Sequence, residues 1–170
     1  MIPSIAFVGY KKTGKTTLIC KVIEVLGSKG LRIGALKHDG HEFEMDHVGT
    51  DTYDFREAGA KSVMIQSARQ VAMIEKVDSP APVSELLQRF RDVDLIIMEG
   101  FKRESIPKIL LIKDEQHFEL IHKLEHIQAV CTNPSFLTSA TDHWNGPVFD
   151  WSDASSIAEF VYQWWMKFQS

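Results

Sequence analysis

The sequence predicts an α/β fold in three layers, a mostly parallel sheet flanked by helices. Three observations predict it. Short apolar runs alternate along the chain with segments of helical spacing. A strand, a helix and a second strand follow one another between Ser4 and Lys37, as a βαβ unit with parallel strands requires. A glycine-containing loop sits between that first strand and helix, at the edge where open α/β sheets bind ligands.

Each element has its own warrant. Ser4 to Gly9 (SIAFVG) is a short apolar run ending in Gly, which suits a buried strand. Lys15 to Lys29 carries apolar residues at Leu18, Ile19, Val22, Ile23 and Leu26, one face of a helix, and Gly30 is the stop. Leu31 to Lys37 reads as a second strand, and the polar, acidic stretch 38–50 as a loop. Asp51 to Gly59 predicts a short helix ended by its glycine. Ser62–Gln66 and Gln70–Lys76 read as two strands close enough for a hairpin. After Pro80 and Pro82, Val83, Leu86, Leu87 and Phe90 give a short amphipathic helix. Asp94–Met98, Lys108–Lys113 and Ile127–Cys131 are further strands. Ser152 is placed to cap a last helix with an apolar face of Ile157, Phe160, Val161, Trp164 and Phe168.

Composition bounds the function. At 170 residues the chain reads as a single domain, 1–170, since domains average about 150 residues. Nineteen Lys and Arg against 23 Asp and Glu leave a net charge of −4. That balance excludes a non-specific nucleic-acid binder or a polybasic membrane-surface protein, both of which need a basic field. The apolar runs are far short of the ~20 residues that span a bilayer, and no positive segment precedes the apolar start. Cys20 and Cys131 lie in apolar runs without metal-ligand spacing, which predicts buried free thiols in a reducing compartment. The expectation is a cytoplasmic protein that contacts neither nucleic acid nor membrane.

Three segments carry chemistry, and all three follow strand ends: after Gly9, after Lys37 and after Met98. Gly9 to Thr16 (GYKKTGKT) matches G-x-x-x-x-G-K-[ST], the phosphate-binding P-loop of nucleotide hydrolases. Gly9 and Gly14 let the backbone wrap so that successive N–H groups, those of Lys12 and Thr13 among them, aim at phosphate oxygens. Lys15 reaches the β- and γ-phosphates, the Thr16 hydroxyl ligates Mg²⁺, and Thr17 meets the α-phosphate. Val93 to Gly100 (VDLIIMEG) is a buried strand with Glu99 at its tip, a Walker-B-like acid that holds Mg²⁺ or orients the attacking water. Asp94, at the other end of that strand, reads as structural. The loop after the second strand crowds His38, Asp39, His41, Asp46, His47 and Asp51 into fourteen positions. It stands as a switch-like segment with Asp39 as a Mg²⁺ contact, as a transition-metal site, or as a solvated polar loop.

With these residues in view, the chain resembles the molybdopterin-guanine dinucleotide biosynthesis protein B (MobB) family. The resemblance rests on GYKKTGKTT at 9–17, LKHDGH at 36–41, GTDTYDFREAGA at 49–60 and MEGFKRESIPKI at 98–109. It implies a P-loop protein that binds GTP with Mg²⁺ and hydrolyses it weakly. It also implies a homodimer that serves the enzyme attaching GMP to molybdopterin, a MobA-type guanylyltransferase. Lys15, Thr16 and Thr17 carry over as phosphate and Mg²⁺ contacts and Glu99 as the Walker-B acid, so that Lys15 and Glu99 are the expected catalytic pair. Lys37, His38, Arg56, Lys102 and Arg103 lie in matching motifs, as basic groups to receive a pterin phosphate or stabilise charge. Two departures stand out. The N-K-x-D motif that reads guanine is missing, and Asn133, in Thr132-Asn133-Pro134, is the candidate base contact in its place. Tyr10 stands where related proteins carry a signature lysine. Three alternatives remain: a nickel-enzyme maturation GTPase, a small-molecule kinase that would use Lys102 and Arg103, and a non-enzymatic interaction module with a vestigial loop.

Overall fold

In the structure, a computed structural model, residues 2–169 are described. In chain order the elements begin with β1 (Ser4–Gly9), α1 (Lys15–Ser28) and β2 (Ile33–Lys37), then α2 (Asp51–Glu57), β3 (Ser62–Gln66) and β4 (Val71–Glu75). There follow α3 (Val83–Gln88), β5 (Leu95–Glu99), β6 (Lys108–Ile112), α4 (Glu119–Lys123) and β7 (Ile127–Thr132). The chain ends with α5 (Leu137–His143), β8 (Val148–Asp150) and α6 (Ala154–Met166). They form two compact units: the chain up to His38 together with Leu87 onward, and Asp39–Leu86 between them.

The larger unit is built on a six-stranded sheet, ordered β2-β5-β1-β6-β7-β8 and parallel throughout. Parallel strands covered on both faces read as continuous apolar runs, which is why SIAFV, LIIM and KILLI are not alternating. One face of the sheet, with Ile5, Phe7, Leu95, Ile97, Ile109 and Leu111, packs on Leu18, Val22 and Leu26 of α1 and Ile157, Val161 and Trp164 of α6. Alternate residues such as Val8, Met98 and Leu110 point to the opposite face and are also fully buried. Each such aliphatic contributes about 1.5–3 kcal/mol by leaving water. Register positions the site. Phe7 lies opposite Glu99, Lys37 opposite Glu99, and Gly9 opposite Leu111, so the carboxyl ends of β1, β2 and β5 reach the same edge.

The smaller unit holds α2 and the antiparallel β3–β4 hairpin, with Met64 opposite Met73. Thr50 caps α2 by accepting the Tyr53 N–H, and its hydroxyl in turn donates to the buried Asp46 carboxylate. Only Val63 and Asp46 are buried here among the described residues.

The expected helices and strands are present, with four differences. Cys131 is buried, but Cys20 is exposed: it follows Leu18 and Ile19 around α1 and lands on the solvent side. The cap of α6 is Asp153, whose carboxylate accepts the Ser156 N–H at 3.0 Å, while Ser152 is tied to Asp150. Phe168 lies beyond the end of that helix and is exposed. Finally, α4, α5 and β8 were not expected from the sequence, and each is 7 residues or fewer.

Candidate functional site

Gly9 closes β1 at φ 159°, and a Cβ there would stand 2.7 Å from the Leu111 carbonyl oxygen, so only glycine fits. The backbone then turns through Lys12 at φ 61° and Gly14 at φ 83°, left-handed positions that curl the loop around a central space. Gly14 is also the N-cap of α1, and its carbonyl accepts the Leu18 N–H at 3.1 Å. The positive end of that helix therefore faces the same space. Thr13 is buried, and its hydroxyl closes the turn on the Tyr10 carbonyl at 2.9 Å.

Lys15 lies over its own loop, donating to the Tyr10 carbonyl at 2.6 Å and the Thr13 hydroxyl at 3.2 Å. Burial pushes its ammonium below the ordinary lysine value; Glu99 pulls the other way, and Lys102 and Lys37 add to the depression. Thr16 donates its hydroxyl hydrogen bond to Glu99 Oε2 at 2.9 Å. The structure thus joins two of the three residues that the sequence nominates for Mg²⁺, Thr16 and Glu99, although they are 83 positions apart. The Glu99 carbonyl accepts the His38 N–H at 2.9 Å, and Gly100 donates its N–H to the Phe7 carbonyl, which pins the acid between β1 and β2. Gly100 (φ 92°) and Phe101 (φ 57°) turn the chain sharply, and the Phe101 ring lies 5.2 Å from the His38 ring.

The turn returns Lys102 to the loop, with its ammonium 4.4 Å from the centre of the Tyr10 ring. Tyr10 is anchored further by its hydroxyl, which donates to Glu119, and by ring contact with His117 at 4.5 Å. Tyr10 thereby braces the loop against the segment that follows β6. Lys37 and Lys102 both act electrostatically on Lys15, which also feels the Glu99 carboxylate, a field suited to a polyanion.

Other nominated residues have different surroundings. Thr17 lies next in α1, at the edge of a cavity of about 380 Å³. The amide of Asn133 is engaged at both ends: its oxygen accepts the Ser135 N–H at 2.9 Å, and its nitrogen donates to the Lys113 carbonyl at 3.3 Å. Asp94 pairs in a fork with Arg32 at the amino edge of the sheet, and that pairing holds its carboxyl down at about 2. Arg103 is exposed. In the smaller unit, Asp39 accepts the His41 N–H at 3.2 Å, and Arg56 is paired with Glu44 at 2.6 Å. Among the described residues no three His, Cys, Asp or Glu side chains gather into a metal cluster, and no helix is long and apolar enough to cross a membrane. Sequence reasoning missed Trp151 and Lys113, which line the cavity next to Thr17. The signal for Trp151 was the short strand Val148–Asp150, too brief to recognise.

The geometry has counterparts in known proteins. The family model described as molybdopterin guanine dinucleotide synthesis protein B, MobB, matches residues 4–133. The molybdopterin-guanine dinucleotide biosynthesis adapter protein of Escherichia coli is 36% identical, over 98% of this chain and 95% of its own length. The protein of the same description from Haemophilus influenzae is 33% identical over 96% of this chain and 89% of its own. Among solved structures, Bacillus subtilis MobB superposes with a TM-score of 0.74 at 25% identity, covering 95% of this chain and 97% of that one. A MobB homologue from Bacillus stearothermophilus gives 0.72 at 22% identity, over 96% and 98%.

Proposed function

The chain belongs to the MobB family, and from that premise we propose that it serves molybdopterin guanine dinucleotide biosynthesis as a GTP-binding adapter. In this reading it binds GTP in the loop of residues 9–17 and presents it, in the cytoplasm, to a MobA-type guanylyltransferase that joins GMP to molybdopterin. One observation carries the nucleotide reading: the Thr16 hydroxyl meets Glu99 Oε2 at 2.9 Å beneath a left-handed loop that holds Lys15. That donor set fits a hard cation. Thr16 and Glu99 would hold Mg²⁺, which supplies charge neutralisation for the β- and γ-phosphates when bound. Asp39 is a further proposed Mg²⁺ contact, from the loop after β2.

Within this arrangement Gly9, Lys12, Thr13 and Gly14 wrap the phosphates, Lys15 carries the terminal charge and Thr17 takes the α-phosphate. Asn133 remains a proposed contact of the base end, acting through the Lys113 backbone that it holds. Glu99 is engaged with the Thr16 hydroxyl, which supports a carboxylate that holds the cation, and with it weak GTP hydrolysis and a role in delivery. The whole chain is then one nucleotide-binding domain carrying the Asp39–Leu86 unit as an insertion. We assign homodimer formation to that insertion, because Met64 and Met73 face each other across its hairpin and both are exposed.

Calorimetric titration of GTP, ATP and GDP, with and without Mg²⁺, tests the reading against Lys15→Ala. The expected result is Mg²⁺-dependent binding that favours GTP and collapses in the variant. A preference for ATP would overturn it.

A further inference from the structure

The cavity beside the phosphate loop has a chemistry of its own. It begins at Thr17 and Leu18 of α1, passes Leu111 and Lys113 at the carboxyl end of β6, and is closed by Trp151 and Ser152 after β8. Its walls are fixed by the main chain. Trp151 donates its N–H to the Thr132 carbonyl at 2.8 Å, and Ser152 gives both its N–H and its hydroxyl hydrogen to Asp150 Oδ1 at 2.8 Å. Lys113 donates its N–H to His117 Nδ1 at 3.2 Å, and its carbonyl takes the Asn133 amide. Backbone and neighbours are thus satisfied, while the Lys113 ammonium has no ion-pair partner among the described residues. The cavity therefore offers apolar walls, a flat indole and three lysines: Lys12 and Lys21 on the side of the loop and α1, and Lys113 on the side of β6.

We propose that this cavity takes the purine base of the bound nucleotide, with Trp151 as its stacking wall and Lys113 as the donor to the 6-oxo group. This rests on the nucleotide reading above and deepens it. A triphosphate laid on residues 9–17 ends at Thr17, so the nucleoside continues into the space that Thr17 borders. A 6-oxopurine presents two acceptors, O6 and N7, along one edge, and an ammonium can donate to both. A 6-aminopurine puts its amino donor against the same ammonium, a mismatch that leaves a donor unmet. Guanine is thereby separated from adenine without the carboxylate of N-K-x-D, and the 2-amino group is not read.

The test is calorimetry on the full chain with the Mg²⁺ complexes of GTP, ITP, ATP and inorganic triphosphate, in the parent protein, Trp151→Ala and Lys113→Met. The parent binds GTP and ITP comparably and ATP about tenfold or more weakly, as an unmet donor dictates. Trp151→Ala lowers affinity for GTP and ITP by roughly tenfold, the scale of one lost aromatic–base stack. It leaves inorganic triphosphate unchanged, which also shows that the variant is folded. Lys113→Met leaves triphosphate binding intact and brings ATP level with GTP. GTP binding unaffected by Trp151→Ala, or ITP bound much more weakly than GTP, overturns the assignment while leaving the nucleotide reading in place. A parent protein that binds neither triphosphate nor GTP overturns both.

Discussion

Gly9, Thr16 and Glu99 set the demands of the site at the scale of single residues. A Cβ on Gly9 would press the Leu111 carbonyl oxygen at 2.7 Å, and that oxygen belongs to backbone that cannot swing away. Gly9→Ala is expected to cost about 1–3 kcal/mol of stability through forced backbone displacement, read as a lower urea midpoint; an unchanged midpoint would show that the loop relaxes. Glu99→Gln retains an acceptor for the Thr16 hydroxyl but removes the charge. Binding of GTP without Mg²⁺ is expected to persist in that variant, and the gain on adding Mg²⁺ to be largely lost. Retention of the full Mg²⁺ effect would place the cation elsewhere. Much of this was legible beforehand, since the spacing of Gly9, Gly14, Lys15 and Thr16 dictates a cradle whatever surrounds it. Cys20 was not: a thiol within an apolar run says nothing of its azimuth on the helix, and it faces solvent. Nor was the engagement of Asn133, because a side chain that caps its own turn is indistinguishable in sequence from one that awaits a base.

Among the elements, the sheet is held at its amino edge by a pair that will respond to acid. Arg32, just before β2, takes the Asp94 carboxylate ahead of β5 through two side-chain bonds and one backbone bond. The hydrogen bonds from Arg32 lower the Asp94 pKa from 3.8 to about 2. A carboxyl depressed on folding contributes stability that is complete above its unfolded value and is lost as pH falls through the folded one. Stability is therefore expected to drop between about pH 4 and pH 2, and Arg32→Gln to flatten that part of the profile. Parallel urea midpoints for the two proteins across that range would remove the pair from the account. At the other end of the chain, Asp153→Ala removes the side-chain cap of α6 and should cost about 0.5–2 kcal/mol, measured in the same way. The long, strongly periodic elements were readable because burial of one face imposes their spacing, as in α1. The segments 119–123, 137–143 and 148–150 were not, because a helix of one or two turns shows too little of its period and a three-residue strand none. That loss mattered, since the last of them delivers Trp151 to the cavity.

Over the whole molecule, burial is divided unequally between the two units. The sheet of the larger unit contains strands such as β6 in which every residue is buried. The Asp39–Leu86 unit buries Val63 and Asp46 alone among its described residues and leaves Phe43, Met45, Phe55, Met64, Ile65, Val71 and Met73 open. A two-stranded hairpin is at best marginal in water without a third layer, so those residues need a cover. A second copy of the chain is the cover assigned above, and mass action then supplies a test. Amide exchange in β3 and β4 should slow as protein concentration rises through the range in which the mass doubles, while β1, β5 and β6 exchange slowly at every concentration. Met73→Glu, which places a charge opposite Met64, should shift the mass toward the monomer and abolish the concentration dependence without altering GTP affinity. Exchange in the hairpin that ignores concentration while the dimer forms would assign the contact to another surface. It would leave the exposed methionines for the guanylyltransferase, the one other macromolecule that the adapter reading requires.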